Sequence, residues 1–383
     1  MLNNRIRKSG AIMVVTAFVV FASLLLIFSC GKPDEMAALE EKAAQLETKV
    51  AQLEKKNADL EKKSMADTKT LDAVRAKGYI QVGVNGGVFG FSMPDEKGEW
   101  KGLDVETAKA LAAAVFGDAS KVKFSALTAV QRLPALQSKE IDVLCRNTTQ
   151  TLTRETINGL NFTQVNFYDG QGFLVPKKLG IKSALELGGA TVCVLPGTTT
   201  ELNAADFFRK NNLQWKPVVI EQTAELSKAF FAGRCDCLTS DASQLAAHRS
   251  VANNPDDYVL LPEIISKEPL APVVRHGDDQ WFDIVKWTVM ALLQAEEYGI
   301  TSKNVDGMMA STDPQIQRFL GVTPGLGKAL GLDDKWAYNI IKQVGNYGEI
   351  FERNVGVNTP LGLQRGLNEL WSKGGIMYPA AFR

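Results

Sequence analysis

The sequence predicts an α/β fold of two lobes around a hinge, with a binding cleft between the lobes and a helical coiled-coil segment before them. Three observations lead to this prediction. From about residue 71, short β-branched apolar runs alternate with helical patterns. One run, Ile141 to Leu144, ends abruptly in hydroxyls, an amide and an arginine, and a second unit repeats this order up to Asp241. In β-α-β order, parallel strands bind ligands at their carboxyl ends.

Composition excludes several classes of function. Lysine plus arginine and aspartate plus glutamate are 43 each, so the charge balance does not suggest a nucleic-acid partner. The two histidines, His248 and His276, have no metal-ligand spacing, which argues against zinc and against histidine-based catalysis. We expect no metal, no cofactor and no catalytic residue.

The N-terminus is typical of an export signal over residues 1–30. Arg5, Arg7 and Lys8 precede an apolar run from residue 11 to residue 28, which ends near Cys30. In a lipoprotein, Cys30 is lipidated and becomes the mature N-terminus. The alternative is an uncleaved anchor, because the run is close to the minimum length of a membrane-spanning helix. Both interpretations attach the chain to the membrane and place the rest outside the cytoplasm.

Residues 31–66 carry a heptad pattern. Leucines at positions 39, 46, 53 and 60 recur every seven residues, and apolar or small residues at 36, 43 and 50 precede them by three. This a/d pattern predicts a coiled coil with glutamates at e and lysines at g. Asn57 at an a position favours a parallel homodimer. A trimer and a monomeric helical stalk remain alternatives.

Residues 67–170 are interpreted as the N-terminal part of lobe 1. Residues 79–84 predict a first strand, which breaks into a glycine-rich loop that contains Asn85 and Phe89 and lacks the lysine of a phosphate loop. Asp104 is expected to cap the helix that follows. A strand over 122–124, a helix over 129–138 and the strand 141–144 complete a parallel sheet. Pro134 destabilises this helix unless it lies in the first turn.

Residues 171–268 are interpreted as lobe 2, and residues 269–383 as a return to lobe 1 with a packed C-terminal extension. Strands are predicted near 175, 191–195, 218–220 and 235–239, with helices between them. Thr198 and Glu201 form a capping box whose helix N-terminus suits an anion. Runs at 258–261 and 270–274 are expected to return to lobe 1. Cys193 and Cys235 are candidates for a disulfide, which leaves Cys145 and Cys237 as buried thiols or a second pair.

The polar residues at the strand ends suggest a site for a zwitterion. Arg154 would bind a carboxylate with donors from Thr148 and Thr149, and Asp241 would accept an ammonium group. Taken singly, an arginine after a loop is more often a surface ion pair, an aspartate before a helix a cap, and a threonine run turn chemistry. Their placement at the ends of strands in two matched units favours a shared site. The full candidate set is Asn85, Phe89, Asn147, Thr148, Thr149, Arg154, Gly170, Thr198, Thr199 and Asp241.

From about residue 71 the chain resembles the bacterial extracellular solute-binding proteins, and is most similar to general L-amino-acid-binding components of ABC uptake systems. The matching runs are GVNGGVFGFS, CRNTTQTLTR, YDGQGFLVPKKLG, PGTTTEL, LPEIISKEPLAPVVR and WAYNIIKQVGNYGEIFERN. The resemblance implies the two-lobed periplasmic-binding-protein fold (type II), with Arg154 and Thr199 at the ligand carboxylate and Asp241 at its ammonium. Asn85 stands where binders of basic amino acids carry an acid. Thr107, Pro134, Cys145 and Cys237 depart from the family pattern.

The implied function is binding of L-amino acids, over a broad or polar and acidic range, and their delivery to the permease subunits of an ABC transporter. Two alternatives come from other classes. A cyclic-acid dehydratase on this fold needs a general acid or base in the cleft, and the candidates Glu201 and Asp241 are already used as cap and ammonium acceptor. A membrane-tethered sensor or adhesin would explain the stalk.

Overall fold

The structure, a computed structural model, describes residues 41–56 and 69–383 of the chain. Residues 41–56 form a helix within a unit of their own, and Leu46 and Leu53 on this helix are about half exposed in the single chain. These residues are helical, as the sequence predicts, whereas the coiled coil and its oligomeric state stay predictions. Cys30, the export signal and the ends of the heptad segment lie outside the described residues. Among the described helices, none has the length and apolarity that a membrane crossing requires.

Lobe 1 is built on a five-stranded sheet of order β4-β1-β5-β14-β6. Its strands are β1 (Ile80–Val84), β4 (Val122–Ala126), β5 (Val143–Leu144), β6 (Leu160–Phe162) and β14 (Val273–Arg275). The first three strands pair in parallel, as predicted. β14 runs antiparallel to β5 and β6, so the sheet is mixed and not purely parallel. A small hairpin of β2 (Met93–Pro94) and β3 (Trp100–Lys101) follows the glycine-rich loop.

Lobe 2 is built on a second five-stranded sheet of order β10-β9-β11-β8-β12. Its strands are β8 (Gln171–Pro176), β9 (Thr191–Val194), β10 (Lys216–Val219), β11 (Cys237–Asp241) and β12 (Tyr258–Leu260). β12 pairs antiparallel with β8, so this run belongs to lobe 2 and its predicted return to lobe 1 is wrong. An apolar run does not reveal which sheet it joins, because either sheet would bury it.

Two short strands carry the chain between the lobes. β7 (Phe167–Asp169) leads from lobe 1 into lobe 2, and β13 (Glu268–Leu270) leads back. They pair antiparallel, with Glu268 opposite Asp169 and Leu270 opposite Phe167. This crossing ribbon is the hinge that the two-lobed prediction requires.

The helices cover the two sheets and form the C-terminal extension. They are α1 (Thr70–Lys77), α2 (Leu103–Phe116), α3 (Arg132–Gln137), α4 (Leu152–Thr156), α5 (Thr199–Lys210), α6 (Thr223–Phe231), α7 (Ala242–Ser250), α8 (Asp279–Glu297), α9 (Val305–Met308), α10 (Pro314–Phe319), α11 (Leu326–Leu330), α12 (Trp336–Gln343) and α13 (Tyr347–Asn354). The extension packs into the lobe 1 core through buried side chains such as Trp336, Phe351 and Phe382. Its predicted packing is therefore confirmed.

Asp104 does not cap helix α2. The helix begins after Gly102, whose φ of 127° is in the region that favours glycine and which provides no capping side chain. Asp104 instead lies in the first turn, is 3% exposed, and accepts a hydrogen bond from the backbone N–H of Asn147 at 3.0 Å. The N-cap prediction is wrong because tertiary contact with the 147 loop draws this carboxylate inward.

Cys193 and Cys235 form a disulfide in lobe 2, with their Cα atoms 5.7 Å apart. Cys145 and Cys237 are buried free thiols. This agrees with the predicted pair and with the first of the two alternatives for the other cysteines.

Candidate functional site

Arg154 lies in the short helix α4 of lobe 1 and is 7% exposed. The hydroxyl of Thr151 caps this helix by accepting a hydrogen bond from the Arg154 N–H at 3.3 Å. The guanidinium folds back, and its Nη1 donates to the carbonyl oxygen of Thr149 at 2.6 Å. Burial lowers the pKa of Arg154, and the negative charges of Glu268 and Asp241 oppose that effect. Arg154 is therefore a buried cation anchored beside Thr149.

Asp241 ends strand β11 of lobe 2 and is 4% exposed. Its Oδ2 accepts a hydrogen bond from Gln244 Nε2 at 2.5 Å. Burial raises the pKa of Asp241 well above its ordinary value, and the nearby carboxylates of Asp169 and Glu268 raise it further. An ammonium group beside Asp241 would reverse this shift, because an adjacent positive charge favours the ionised carboxylate.

Asp169 is the second acid at this end of the cleft. It accepts hydrogen bonds from the Gly170 N–H at 2.8 Å and from the hydroxyl of Ser243. Burial raises its pKa to about 6 even though these hydrogen bonds act in the opposite direction. Asp169 at the end of crossing strand β7 and Asp241 at the end of β11 are thus two acids with raised pKa values at this end of the cleft.

Residues of both lobes line a small cavity of about 20 Å³ between Arg132 and Asp241. Its lining residues are Arg132, Arg146, Asn147, Thr149, Leu195, Thr198, Thr199, Thr200, Thr239, Ser240, Asp241 and Gln244. A second cavity of about 210 Å³, here called the side cavity, lies between the loop after β1 and the start of α6. Thr128 of lobe 1 donates its hydroxyl proton to Glu221 of lobe 2 beside it, at 2.9 Å. The two lobes therefore also contact each other beside the side cavity.

Arg132 and Arg146 also line the small cavity, although no sequence pattern indicated them. Arg132 begins helix α3, is 3% exposed, and donates through Nη1 to Thr148 Oγ1 at 3.3 Å. Burial, together with the charges of Arg154 and Arg146, lowers its pKa well below the ordinary value. Arg146 donates through Nε to the carbonyl of Leu127 at 2.9 Å. Burial lowers the pKa of Arg146 to about 10, although Asp104 acts in the opposite direction.

Several buried polar atoms at the cleft lack a partner within the described residues. They include Arg132 Nε, Asn147 Oδ1 and Asn85 Nδ2. Buried polar groups are nearly always hydrogen-bonded, so such atoms indicate where a bound molecule or water would interact. Asn147 also adopts a φ of 32°, a conformation that ordinary residues rarely take, next to the cleft.

Glu268 connects the threonines of the two lobes. Its Oε2 accepts a hydrogen bond from Thr149 Oγ1 at 2.5 Å and from Thr199 Oγ1 at 2.9 Å. A hydroxyl carries a single proton, so both threonines direct that proton to Glu268 and present lone pairs to the cleft. A ligand carboxylate would then bind backbone N–H groups and Arg154, whereas the hydroxyls suit an ammonium group.

The N-terminus of helix α5 faces the same cavity. Thr198 caps it by accepting from the Glu201 N–H at 3.1 Å, as predicted. Glu201 accepts from the N–H of Gly197 at 2.9 Å and not from that of Thr198, so the reciprocal half of the predicted capping box is wrong. Thr199 and Thr200 occupy the first turn and line the cavity. This helix has 12 residues, and its N-terminal end favours a negative group.

The other residues that the sequence predicts for the site do not line the small cavity. Asn85 is 2% exposed and lines the side cavity. Thr148 is fully buried, and its hydroxyl donates to the carbonyl of Arg146, so it supports the loop and lines neither of the two cavities. Phe89 packs against the lobe 1 core. Gly170 packs against the segment at Ile264, where a Cβ would collide.

Comparison with known proteins gives one family. The model of the bacterial extracellular solute-binding proteins, family 3, matches residues 80–304, which is more than half of the chain. The match includes both lobe sheets and both crossing strands.

Similar individual proteins extend over most of the chain. The general L-amino acid-binding periplasmic protein AapJ of Rhizobium johnstonii is 58% identical over 84% of this chain and 94% of that protein. The glutamate/glutamine/aspartate/asparagine-binding protein BztA of Rhodobacter capsulatus is 53% identical over 83% of this chain and 94% of its own length. A periplasmic binding protein from Brucella ovis, solved with glutathione bound, is 54% identical with a TM-score of 0.81, covering 82% of this chain and all of that chain.

Proposed function

Because the chain belongs to the bacterial extracellular solute-binding proteins, family 3, we propose that it is the substrate-binding component of an amino-acid ABC transporter. It binds an L-amino acid in the cleft between the lobes, and the closed form presents both lobes to the permease subunits. The ligand is released unchanged, since binding and delivery need no reacting group. The periplasmic names of similar proteins support a place outside the cytoplasm.

The observation that carries this proposal is the pairing of Arg154 with Asp241. Both are buried, Arg154 in helix α4 of lobe 1 and Asp241 at the end of strand β11 in lobe 2. Each acts on the pKa of Arg132, which Arg154 lowers and Asp241 raises. Among the described residues, the Arg154 guanidinium bonds to the Thr149 carbonyl and the Asp241 carboxyl to Gln244, and no ion pair joins the two, so both remain available to a ligand. An amino-acid zwitterion supplies both opposite charges at once, which offsets the cost of burying them.

The proposed range of ligand side chains rests on the buried polar atoms of the cleft that have no hydrogen-bond partner among the described residues. Arg132 offers a cationic donor, Asn147 an acceptor, and Asn85 a donor at the side cavity. Such a mixed lining suits polar and acidic side chains. The name of the Rhodobacter relative, which covers two acids and their amides, supports this range. The volume of the side cavity and the glutathione-bound Brucella structure are reasons to include a small peptide among the ligands tested.

Isothermal titration calorimetry tests the proposal directly. We expect binding of several of the twenty L-amino acids, strongest among glutamate, glutamine, aspartate and asparagine. Arg154→Ala should remove measurable binding, because it deletes the carboxylate partner. Arg209→Ala is the matched control, since Arg209 is an exposed arginine paired with Asp206 on the outer surface of α5. Absence of binding to every amino acid would contradict the function, and binding that survives Arg154→Ala would contradict the site.

Membrane attachment belongs to the same proposal. A lipidated Cys30 or an uncleaved anchor would hold the lobes near the permease, and the coiled-coil segment would act as a spacer or a parallel dimer. The disulfide between Cys193 and Cys235 supports an oxidising location. Analytical ultracentrifugation with and without residues 31–66 separates dimer from monomer. Gel mobility after globomycin treatment separates lipoprotein from anchor.

A further inference from the structure

The carboxylate of Glu268 accepts hydrogen bonds from both lobes. Oε2 accepts from Thr149 in lobe 1 and from Thr199 in lobe 2. Oε1 accepts from Asn203 Nδ2 in lobe 2 at 2.8 Å and from the hydroxyl of Ser266 at 2.5 Å. Glu268 is 1% exposed, and a carboxylate buried to that degree is stable only when donors surround it.

Strand β13, which contains Glu268, is hydrogen-bonded to lobe 1. The N–H of Gln150 donates to the carbonyl of Pro269 at 2.9 Å, and the N–H of Ala271 donates to the carbonyl of Thr148 at 3.2 Å. Thr149 also forms a β-bridge with Leu270. A hinge motion that separates the lobes therefore leaves Glu268 with Thr149 and removes its contacts with helix α5.

Two side chains of α5 make the contacts that this motion would break. Thr199 and Asn203 are one helical turn apart, so they share a face, and each donates to a different oxygen of Glu268. Hydrogen bonds to a charged acceptor are the stronger ones in proteins. The Glu268–α5 contacts thus link the hinge to the helix whose N-terminus lines the ligand cavity.

We propose that Glu268 is a positioning residue for closure, which holds α5 of lobe 2 against lobe 1 whether or not a ligand is present. The expected effect on ligand affinity rests on the proposed function. If both lobes enclose the ligand, its apparent affinity increases with the fraction of protein that is closed. Glu268 raises that fraction. Its effect is therefore the same factor for every ligand, whatever its side chain.

The experiment measures closure and affinity separately in the full chain. Spin labels at Lys123→Cys in lobe 1 and Lys210→Cys in lobe 2, both exposed, report the interlobe distance by double electron–electron resonance. We expect Glu268→Gln to shift the ligand-free protein toward the longer, open distance. Calorimetry should then show dissociation constants for glutamate, glutamine and alanine that rise by one common factor of about ten.

Asn203→Ala is the second variant, because Asn203 contacts Glu268 and lines neither of the two cavities. It should shift the open fraction in the same direction by a smaller amount, and it keeps the test valid if Glu268→Gln fails to fold. A wild-type distance distribution in the folded variants overturns the proposal. So does tighter binding by Glu268→Gln, which would mark Glu268 as a competitor for Arg154. The distance is read without ligand, so wild-type protein that binds no amino acid refutes the proposed function alone.

Discussion

The carbonyl oxygen of Thr149 accepts a hydrogen bond from Arg154 Nη1 at 2.6 Å, while the hydroxyl of the same threonine donates to Glu268. Thr149 therefore holds a cation through its backbone and an anion through its side chain. The arrangement fixes the guanidinium of Arg154 beside Thr149, and a ligand carboxylate bound as proposed would use its remaining N–H donors.

Arg154→Lys should weaken binding of every amino acid by at least about 100-fold, because an ammonium cannot hold the Thr149 carbonyl and two carboxylate oxygens in one plane. The charge is retained, so the loss would come from geometry. Calorimetry with glutamine measures it, and Arg209→Lys on the outer surface is the control. Affinity within a factor of about three of wild type would show that only charge matters at this position.

The raised pKa of Asp241 predicts that ligand affinity depends on pH. Burial and the neighbouring acids raise its pKa, so the ligand-free protein holds a proton that an incoming ammonium group displaces. Affinity should therefore rise as the pH rises until Asp241 is ionised in the ligand-free protein, with proton release on binding below that pH. Asp169, whose pKa is raised to about 6, adds to this dependence around that value. Titration in buffers of different ionisation enthalpy measures the released proton.

Asp241→Asn is the matched variant for this measurement. It removes the titrating group and the ammonium partner, so we expect weaker binding and little remaining proton release. Release that persists unchanged in Asp241→Asn would assign the proton to Asp169.

Arg154 and Asp241 could be predicted from the sequence because their signal is local. Each follows an apolar run that ends in polar residues, and the run shows where the strand stops. Both are buried in the structure. Asp241 lines the small cavity, and Arg154 lies behind Thr149, which also lines it. The capping role of Thr198 was equally local, since its partner Glu201 lies three residues away.

Arg132, Arg146 and Glu268 could not be found in this way. Arg132 lies in a short helix whose pattern resembles any amphipathic turn, and Glu268 lies in a crossing strand of three residues. Their importance arises from burial and from contacts with residues more than a dozen positions away, as in the bonds from Thr149 and Thr199 to Glu268. Asp104 was misassigned for the same reason, because its partner is the distant Asn147.

Arg132→Gln should change ligand preference. The substitution keeps a donor but removes a positive charge near the cavity, so glutamate should lose about tenfold in affinity and glutamine about threefold or less. Burial and the neighbouring arginines lower the pKa of Arg132, so its positive charge is unfavourable in the ligand-free protein. The melting temperature of Arg132→Gln should therefore equal or exceed that of wild type. Calorimetry and thermal melts measure the two effects, with the exposed Arg75 changed to Gln as control. Equal losses for both ligands would rule out a role for Arg132 with acidic side chains.

The raised pKa of Asp104 predicts that the stability of the ligand-free protein depends on pH. Burial raises its pKa to about 7, whereas the unfolded chain has the ordinary value of 3.8. Between these values the folded state holds a proton that the unfolded state has released, so stability falls as the pH rises from about 4 to about 7. A shift of this size corresponds to about 4 kcal/mol of lost stability at pH 8. Asp104→Asn can still accept the Asn147 N–H and cannot ionise.

The loss of melting temperature between pH 5 and pH 8 should therefore be smaller in Asp104→Asn than in wild type. Thermal melts of the ligand-free protein at both values measure it. Asp206→Asn is the control, since this aspartate is exposed on α5 and its substitution should leave the difference as in wild type. Asp169 and Asp241 have raised pKa values of the same sign, so part of the dependence remains in every variant. A pH difference as large in Asp104→Asn as in wild type would mean that Arg146, which lowers the pKa of Asp104, keeps that carboxylate ionised in the folded protein.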